Sequence, residues 1–251
     1  MHSLARAVVE QHPEPKRCLP SAFQLMQTFT TGTQTKVVVI DDHPAIRDAL
    51  ATVIAHSGDL VFSGEASSGE EAFRVLGKEG ANVAIIDIGL PDTHGLDLVE
   101  NLVAQHPDLK VVVFSVYDED VYAERAIRAG ALGYVMKREP VQVVLEAIRC
   151  VSRGDVYLSR TIASRIVTRS ALKRSAEPSS PIDQLTDREL AVFQMLGEGY
   201  SVEAISKRLH LSRKTVETHR RHAKEKLGLE SVSELLLFAV RWTDGQRREG
   251  S

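Results

Sequence analysis

Three carboxylates stand at the ends of two short apolar runs. Asp41 and Asp42 follow Lys36-Val37-Val38-Val39-Ile40, and Asp87 follows Val83-Ala84-Ile85-Ile86. Short, β-branched runs of this kind suit strands buried on both faces of a parallel sheet. In an open α/β sheet, ligands gather just beyond the carboxyl ends of the strands. The three acids can therefore converge on one spot, where they repel unless a cation stands between them. An all-oxygen donor set at an open site suits Mg²⁺, which takes few carboxylates and keeps some waters. Such a site is suited to phosphate chemistry.

A second group of residues carries the opposite charge. From Lys207 to Lys226, the bases Lys207, Arg208, Arg213, Lys214, Arg220, Arg221, Lys224 and Lys226 face only Glu217 and Glu225. From Lys36 to Pro140, acids outnumber bases two to one. The net charge of −3 conceals this asymmetry. A basic cluster is the electrostatic footprint of a polyanion-binding surface. Charge alone leaves a solvated helix face as the alternative.

The elements that must position these groups follow from periodicity. Strand patterns at Lys36–Ile40, Leu60–Gly64, Val83–Asp87, Lys110–Ser115 and Gly133–Met136 alternate with helix patterns at Pro44–Ala55, Gly69–Leu76, Leu96–Gln105, Glu119–Ala129 and Pro140–Val151. Ser68 with Glu71 forms a capping-box pattern, and Gly130 stands where a helix end needs a left-handed residue. Five β-α units imply a five-stranded, doubly wound parallel sheet with right-handed crossovers. After Pro181 everything reads as helix: Asp187–Leu196, Val202–Leu209, Arg213–Leu227 and Val232–Val240. Only His210 and Leu211 part the second of these from the third, the basic helix. Ser201 and Ser212 are good N-caps, and Thr186/Glu189 and Ser231/Glu234 repeat the capping-box pattern. Ala204 is small where two helices must cross.

The expected domains are an N-terminal extension (1–35), an α/β domain (36–153), a partly helical linker (154–181), an all-α four-helix domain (182–243) and a C-terminal tail (244–251). Pro13, Pro15, Pro20 and the Thr-rich stretch to Thr35 make the extension read as a tail. Lys173 to Pro181 reads as a flexible linker. No apolar stretch approaches the ~20 residues of a membrane span, and no secretion signal opens the chain. The expectation is a cytoplasmic protein without a membrane partner. Cys18 and Cys150 fit no metal or disulfide pattern and are read as two reduced thiols.

Ile40-Asp41-Asp42-His43-Pro44, Ile86-Asp87-Ile88-Gly89-Leu90-Pro91 and Gly133-Tyr134-Val135-Met136-Lys137 resemble the receiver domain of two-component response regulators. Leu185-Thr186-Asp187-Arg188-Glu189 and Ser212-Arg213-Lys214-Thr215-Val216-Glu217-Thr218-His219 resemble a LuxR-type helix-turn-helix. Five blocks in this order resemble the NarL/FixJ subfamily over residues 36–242. The resemblance implies a flavodoxin-like receiver joined to a DNA-binding module. It implies that Asp87 is the phosphoacceptor, that Asp41, Asp42, Asp87 and the main-chain carbonyl of Gly89 hold Mg²⁺, and that Lys137 and Ser115 contact the phosphoryl group. Tyr134 is implied as the aromatic switch that swings inward. Two residues, Arg138 and Glu139, separate Lys137 from Pro140 where many receivers have proline directly after the lysine.

In the output module, Arg213–Leu227 is expected in the major groove. The resemblance makes Glu217, Thr218 and Arg221 the candidates for base edges, where Arg can read guanine and Glu can accept from cytosine. Ser212, Lys214, Thr215, His219, Arg220, His222 and Lys224 are better suited to phosphates. The helix Val232–Val240 carries more apolar surface than one side of a small bundle needs. The resemblance implies that it pairs with its mate in a homodimer on DNA, with ordinary core packing as the alternative, and that a sensor histidine kinase is the phosphodonor. The resemblance makes the chain a regulator, not an enzyme with an external substrate. Its rivals are a phosphorylation-independent DNA binder gated by a partner or the N-terminal extension, a Mg²⁺-dependent phosphatase and an RNA binder.

Overall fold

Four-residue and six-residue runs of Val and Ile can bury both faces only inside a sheet covered on both sides. The computed structural model describes residues 16–19, 34–93, 95–171, 180–209 and 211–249. In chain order the strands are β1 (Lys16–Leu19), β2 (Thr35–Ile40), β3 (Leu60–Ala66), β4 (Val83–Ile86), β5 (Lys110–Ser115), β6 (Gly133–Met136) and β7 (Val156–Ser159). The helices are α1 (Pro44–His56), α2 (Gly69–Glu79), α3 (Gly95–Gln105), α4 (Glu119–Arg128), α5 (Val141–Ser152), α6 (Arg160–Ala171), α7 (Asp187–Gly197), α8 (Val202–Arg208), α9 (Arg213–Lys226) and α10 (Val232–Glu249).

The sheet order is β1-β7-β6-β5-β4-β2-β3. Strands β3-β2-β4-β5-β6 pair in parallel and are the five expected. Alternate residues face opposite sides, as the strand period of two demands. Val38, Ile40, Ala84, Ile86, Val111 and Val113 pack under α2, α3 and α4. Val37, Val39, Val83, Ile85, Val112 and Phe114 pack under α1 and α5. The strand order reverses between β2 and β4, so their carboxyl ends open the ligand crevice of this topology.

Two strands exceed expectation. β7 pairs in parallel with β6, and β1 pairs antiparallel with β7. Both fall in segments read as extension or linker. β7 was hidden because four residues give too short a period to separate strand from loop. Residues 1–15 and 20–33 of the extension, and most of the stretch read as linker (172–179), lie outside the described residues. Helix α6 occupies the expected partly helical segment and packs on α4. The reading of two free thiols is corrected: Cys150 is disulfide-bonded.

Local signals formed as the residue types dictate. Ser68 accepts the Glu71 amide, but the Glu71 carboxylate reaches the Ser67 amide instead of closing on Ser68. Thr186 and Glu189 close both halves of their box. Gly197 ends α7 against α10, where an added Cβ would lie 2.5 Å from the Ala239 carbonyl oxygen. The missing side chain of Gly197 thus lets α7 and α10 cross closely.

Candidate functional site

Strand ends place the acids. Asp41 follows β2 and donates its amide to Ala66 of β3, while Asp87 follows β4 and donates its amide to Ile40 of β2. Parallel neighbours in register thus end side by side. Asp41 and Asp87 are 1% and 3% exposed, and Asp42 is half-buried. Single ligand atoms from Asp41, Asp42, His43 and Asp87 lie within 4.8 Å of one another.

Lys137 follows β6 and bridges the acids. Its Nζ lies 2.6 Å from Asp41 Oδ2 and 2.6 Å from Asp87 Oδ2. Its amide donates to the Ser115 carbonyl at 2.7 Å, which fixes the lysine beside the end of β5. Burial opposes the Lys137 charge, but the Asp87 and Asp41 carboxylates outweigh it and hold its pKa above the ordinary lysine value. The Gly89 amide donates to Asp87 Oδ1 at 2.9 Å. The set fits a hard divalent cation, because every acid in it supplies only oxygen donors and Asp42 stays partly open to water. His43 is read from the sequence as solvent-facing. Its side chain is 66% exposed, with Nδ1 2.6 Å from Asp42 Oδ1.

Ser115 is fully buried at the end of β5, and its Oγ accepts the Tyr117 amide at 3.4 Å. Tyr134 is also fully buried and already turned inward, donating its hydroxyl to the Tyr117 carbonyl at 2.9 Å. Burial pushes its phenol pKa well up, so it stays a donor. Tyr117 stacks on Tyr122 of α4 with ring centroids 5.1 Å apart. The Tyr122 hydroxyl donates to Gln194 Oε1 on α7.

That bond crosses to the helical domain, and others accompany it. Arg125 of α4 donates to Asp187 of α7 at 2.5 Å and to the Ile182 carbonyl at 3.3 Å. Arg188 of α7 pairs with Asp97 of α3 at 2.6 Å. The acid cluster therefore opens into a cleft of about 260 Å³ shared by both domains. Asp87, Lys137 and Tyr117 line one side, and Glu198, Tyr200 and Arg208 line the other. Tyr117, Tyr122, Gln194 and the Arg125–Asp187 pair were not singled out in the sequence, because no periodicity links residues so far apart.

Helices α8 and α9 form the helix-turn-helix. Val216 and Ala223 are buried against α7 and α8, and Leu227 is half-buried. Lys214, Glu217 and Arg221 stand exposed on the opposite face, with Thr218 beside them. Ser212 caps α9 by accepting the Thr215 amide at 3.0 Å. Glu217 is engaged by Arg220, and Thr218 donates to the Lys214 carbonyl. Lys224 donates to the Glu230 carbonyl. His219 is half-buried, and burial lowers its pKa, which favours the neutral ring. On α10, Phe238 and Trp242 pack on Phe193, while Leu236, Leu237 and Val240 face outward at 37%, 59% and 41% exposure. No described helix is long and apolar enough to cross a membrane.

Residues 37–149 match the response regulator receiver domain, and residues 183–239 match the bacterial regulatory proteins of the luxR family. The response regulator GacA of Pseudomonas aeruginosa is 35% identical over 206 residues, covering 82% of this chain and 95% of that protein. This chain belongs to the NarL/FixJ family of response regulators. The oxygen regulatory protein NreC of Staphylococcus carnosus is 30% identical over 210 residues, 82% of this chain and 97% of its own. In fold the response regulator resembles RcsB of Salmonella enterica serovar Typhimurium solved with promoter P1flhDC, at TM-score 0.61 and 21% identity over 82% of this chain and 98% of that one. A receiver followed by a LuxR-type module is the make-up of a DNA-binding transcriptional regulator.

Proposed function

We propose that this response regulator is a phosphorylation-controlled DNA-binding switch of the cytoplasm, with Asp87 as its phosphoacceptor. The observation that carries the reading is the Lys137 ammonium, held 2.6 Å from both Asp87 and Asp41 in a cleft roofed by the DNA-binding domain. A carboxylate attacks phosphorus well when cationic groups offset the charge of the phosphoryl oxygens. One Asp87 oxygen bonds to phosphorus as the bond to the donor breaks. That donor is the phosphohistidine of a sensor histidine kinase or a small phosphodonor. Asp41, Asp42, Asp87 and the Gly89 carbonyl would hold Mg²⁺, whose charge would offset that of the phosphoryl oxygens. Lys137 shifts from the Asp87 carboxylate to the phosphoryl group, and the Ser115 hydroxyl donates to it. The only reaction is on the protein's own phosphoryl group.

The signal leaves through contacts already made. Ser115 is bonded to Tyr117, Tyr117 to Tyr134, and Tyr117 stacks on Tyr122, which holds Gln194. Moving Ser115 toward a phosphoryl oxygen releases the Tyr117 amide and disturbs both tyrosines. The docked DNA-binding domain then separates and pairs with a second copy. Leu236, Leu237 and Val240 of α10 supply the apolar face of the homodimer.

On DNA, Thr218 and Arg221 read base edges, and Glu217 does so after leaving Arg220. Ser212, Lys214, Thr215, His219 and Lys224 hold phosphates and set the register. The working units are the receiver of residues 36–153 and the module of residues 182–243. Incubation with labelled acetyl phosphate and Mg²⁺ tests the phosphoacceptor. Wild type takes up label and Asp87→Asn does not; equal labelling of the two would move the site elsewhere.

A further inference from the structure

The phosphoswitch leaves two features unused: the strand β1 and the bonded thiol of Cys150. Cys150 lies on α5, 1% exposed, in the apolar layer that also holds Val151 and Tyr157. It is disulfide-bonded, and the chain contains two cysteines, the other being Cys18. Cys18 belongs to β1, in register with Tyr157 of β7. Cross-strand partners share a face of a sheet. The register therefore puts position 18 on the α5 side, where Tyr157 stands. A disulfide requires Cα atoms within about 7 Å, a separation that backbone pairing of β1 beside α5 makes available.

We propose that Cys18 and Cys150 form a reversible disulfide clasp that fastens the N-terminal extension to the receiver edge and is set by low-molecular-weight thiols and disulfides. The inference does not depend on the role of Asp87. Closure is a thiol–disulfide exchange. The Cys18 thiolate attacks oxidised glutathione, forming a mixed disulfide and releasing one glutathione thiolate. The Cys150 thiolate then attacks the Cys18 sulfur and releases the second. Two protein thiols and one oxidised glutathione become one protein disulfide and two reduced glutathiones. Opening is the reverse, driven by excess thiol. Disulfides in a reducing compartment are most often of this transient, sensing kind. With the clasp shut, β1 covers the edge of β7, an edge that would otherwise present unpaired backbone groups. β7 leads into α6, which braces α4: Ser159 donates to Glu119, and Arg165 pairs with Asp120 at 2.9 Å. The clasp thus stiffens the face of α4 that α6 covers.

The test uses full-length protein poised in glutathione mixtures from fully reduced to fully oxidised. Non-reducing peptide mapping reads the bond, and trypsin cleavage after Lys16 and Arg17 reads the docking of β1. The expected result is a Cys18–Cys150-linked peptide that appears with oxidation and disappears with reduction. Cleavage should be roughly tenfold or more slower in the oxidised form, since proteolysis follows opening of the segment. Cys18→Ser, which removes the bond and leaves Cys150 a buried free thiol, should cleave at the fast rate at every poise. Absence of the linked peptide, a linkage between two chains, or one cleavage rate at all poises would overturn the proposal.

Discussion

Tyr122 of the receiver and Gln194 of the DNA-binding domain share a buried hydrogen bond, the phenol donating to the amide oxygen. Burial holds the Tyr122 phenol pKa well above its ordinary value, so the donor persists at any physiological pH. The same ring stacks on Tyr117, whose amide is bonded to Ser115 beside the acid cluster. A short run of contacts thus joins the acid-cluster cleft to the output domain.

Tyr122→Phe keeps the stacking and leaves Gln194 Oε1 without its donor. The lost bond should weaken docking by about 1–3 kcal/mol. Shifting a two-state equilibrium from 1:99 to 99:1 takes about 5.5 kcal/mol, so the variant should be partly open. Fluorescence anisotropy should show tighter DNA binding without phosphodonor. Unchanged affinity would mean that this contact does not restrain the module.

Lys137→Met removes the cation between two buried carboxylates. Breaking one partner from such a group costs about 3–5 kcal/mol. Left without their shared cation, Asp41 and Asp87 repel each other. Thermal melts should therefore show a midpoint below that of wild type, and added Mg²⁺ should recover part of the loss by standing in for the ammonium. A midpoint equal to wild type would sink this account of the lysine.

Burial works against the Glu189 charge, but Lys226 and the Thr186 cap outweigh it and hold its pKa below the ordinary carboxylate value. A lowered folded pKa contributes stability above the unfolded pKa that disappears as pH falls through the folded one. Glu189→Gln should therefore lower stability by about 1–2 kcal/mol at neutral pH, Lys226 being partly open to water. Urea titrations should show that difference vanish in acid below pH ~4.

Arg221→Ala and Lys214→Ala should fail differently. Loss of a base-reading arginine costs about 1–3 kcal/mol and relaxes the preference at one position. Loss of a phosphate-binding lysine weakens all sequences alike and reduces the salt slope by about 1. Binding isotherms at several salt concentrations separate the two. Identical behaviour of both variants would remove Arg221 from the base edge.

Leu237→Glu tests the homodimer. Leu237 is 59% exposed on α10, so the monomer should fold with a normal melt. Paired half-sites should then be bound without cooperativity. Retained cooperativity would place the dimer contact elsewhere.

The acid cluster was legible because carboxylates directly after buried β-branched runs have one place to go in a parallel sheet. Lys137 after β6 and the capped α9 were legible for the same local reason. β1 and β7 were not, since four residues with mixed polarity carry no period. Their pairing depends on backbone groups, which every residue has. The Cys150 bond escaped because cysteine spacing constrains a pairing only through the fold. The Tyr122–Gln194 and Arg125–Asp187 contacts join residues more than sixty apart and depend on how two domains dock.

The most direct measurement is a DNA titration of wild type and Asp87→Asn, each with and without beryllofluoride and Mg²⁺. The account predicts wild-type binding tightened about tenfold or more, equivalent to 1.4 kcal/mol or greater, and no response in Asp87→Asn. Equal wild-type affinity in both conditions would contradict control of DNA binding through Asp87.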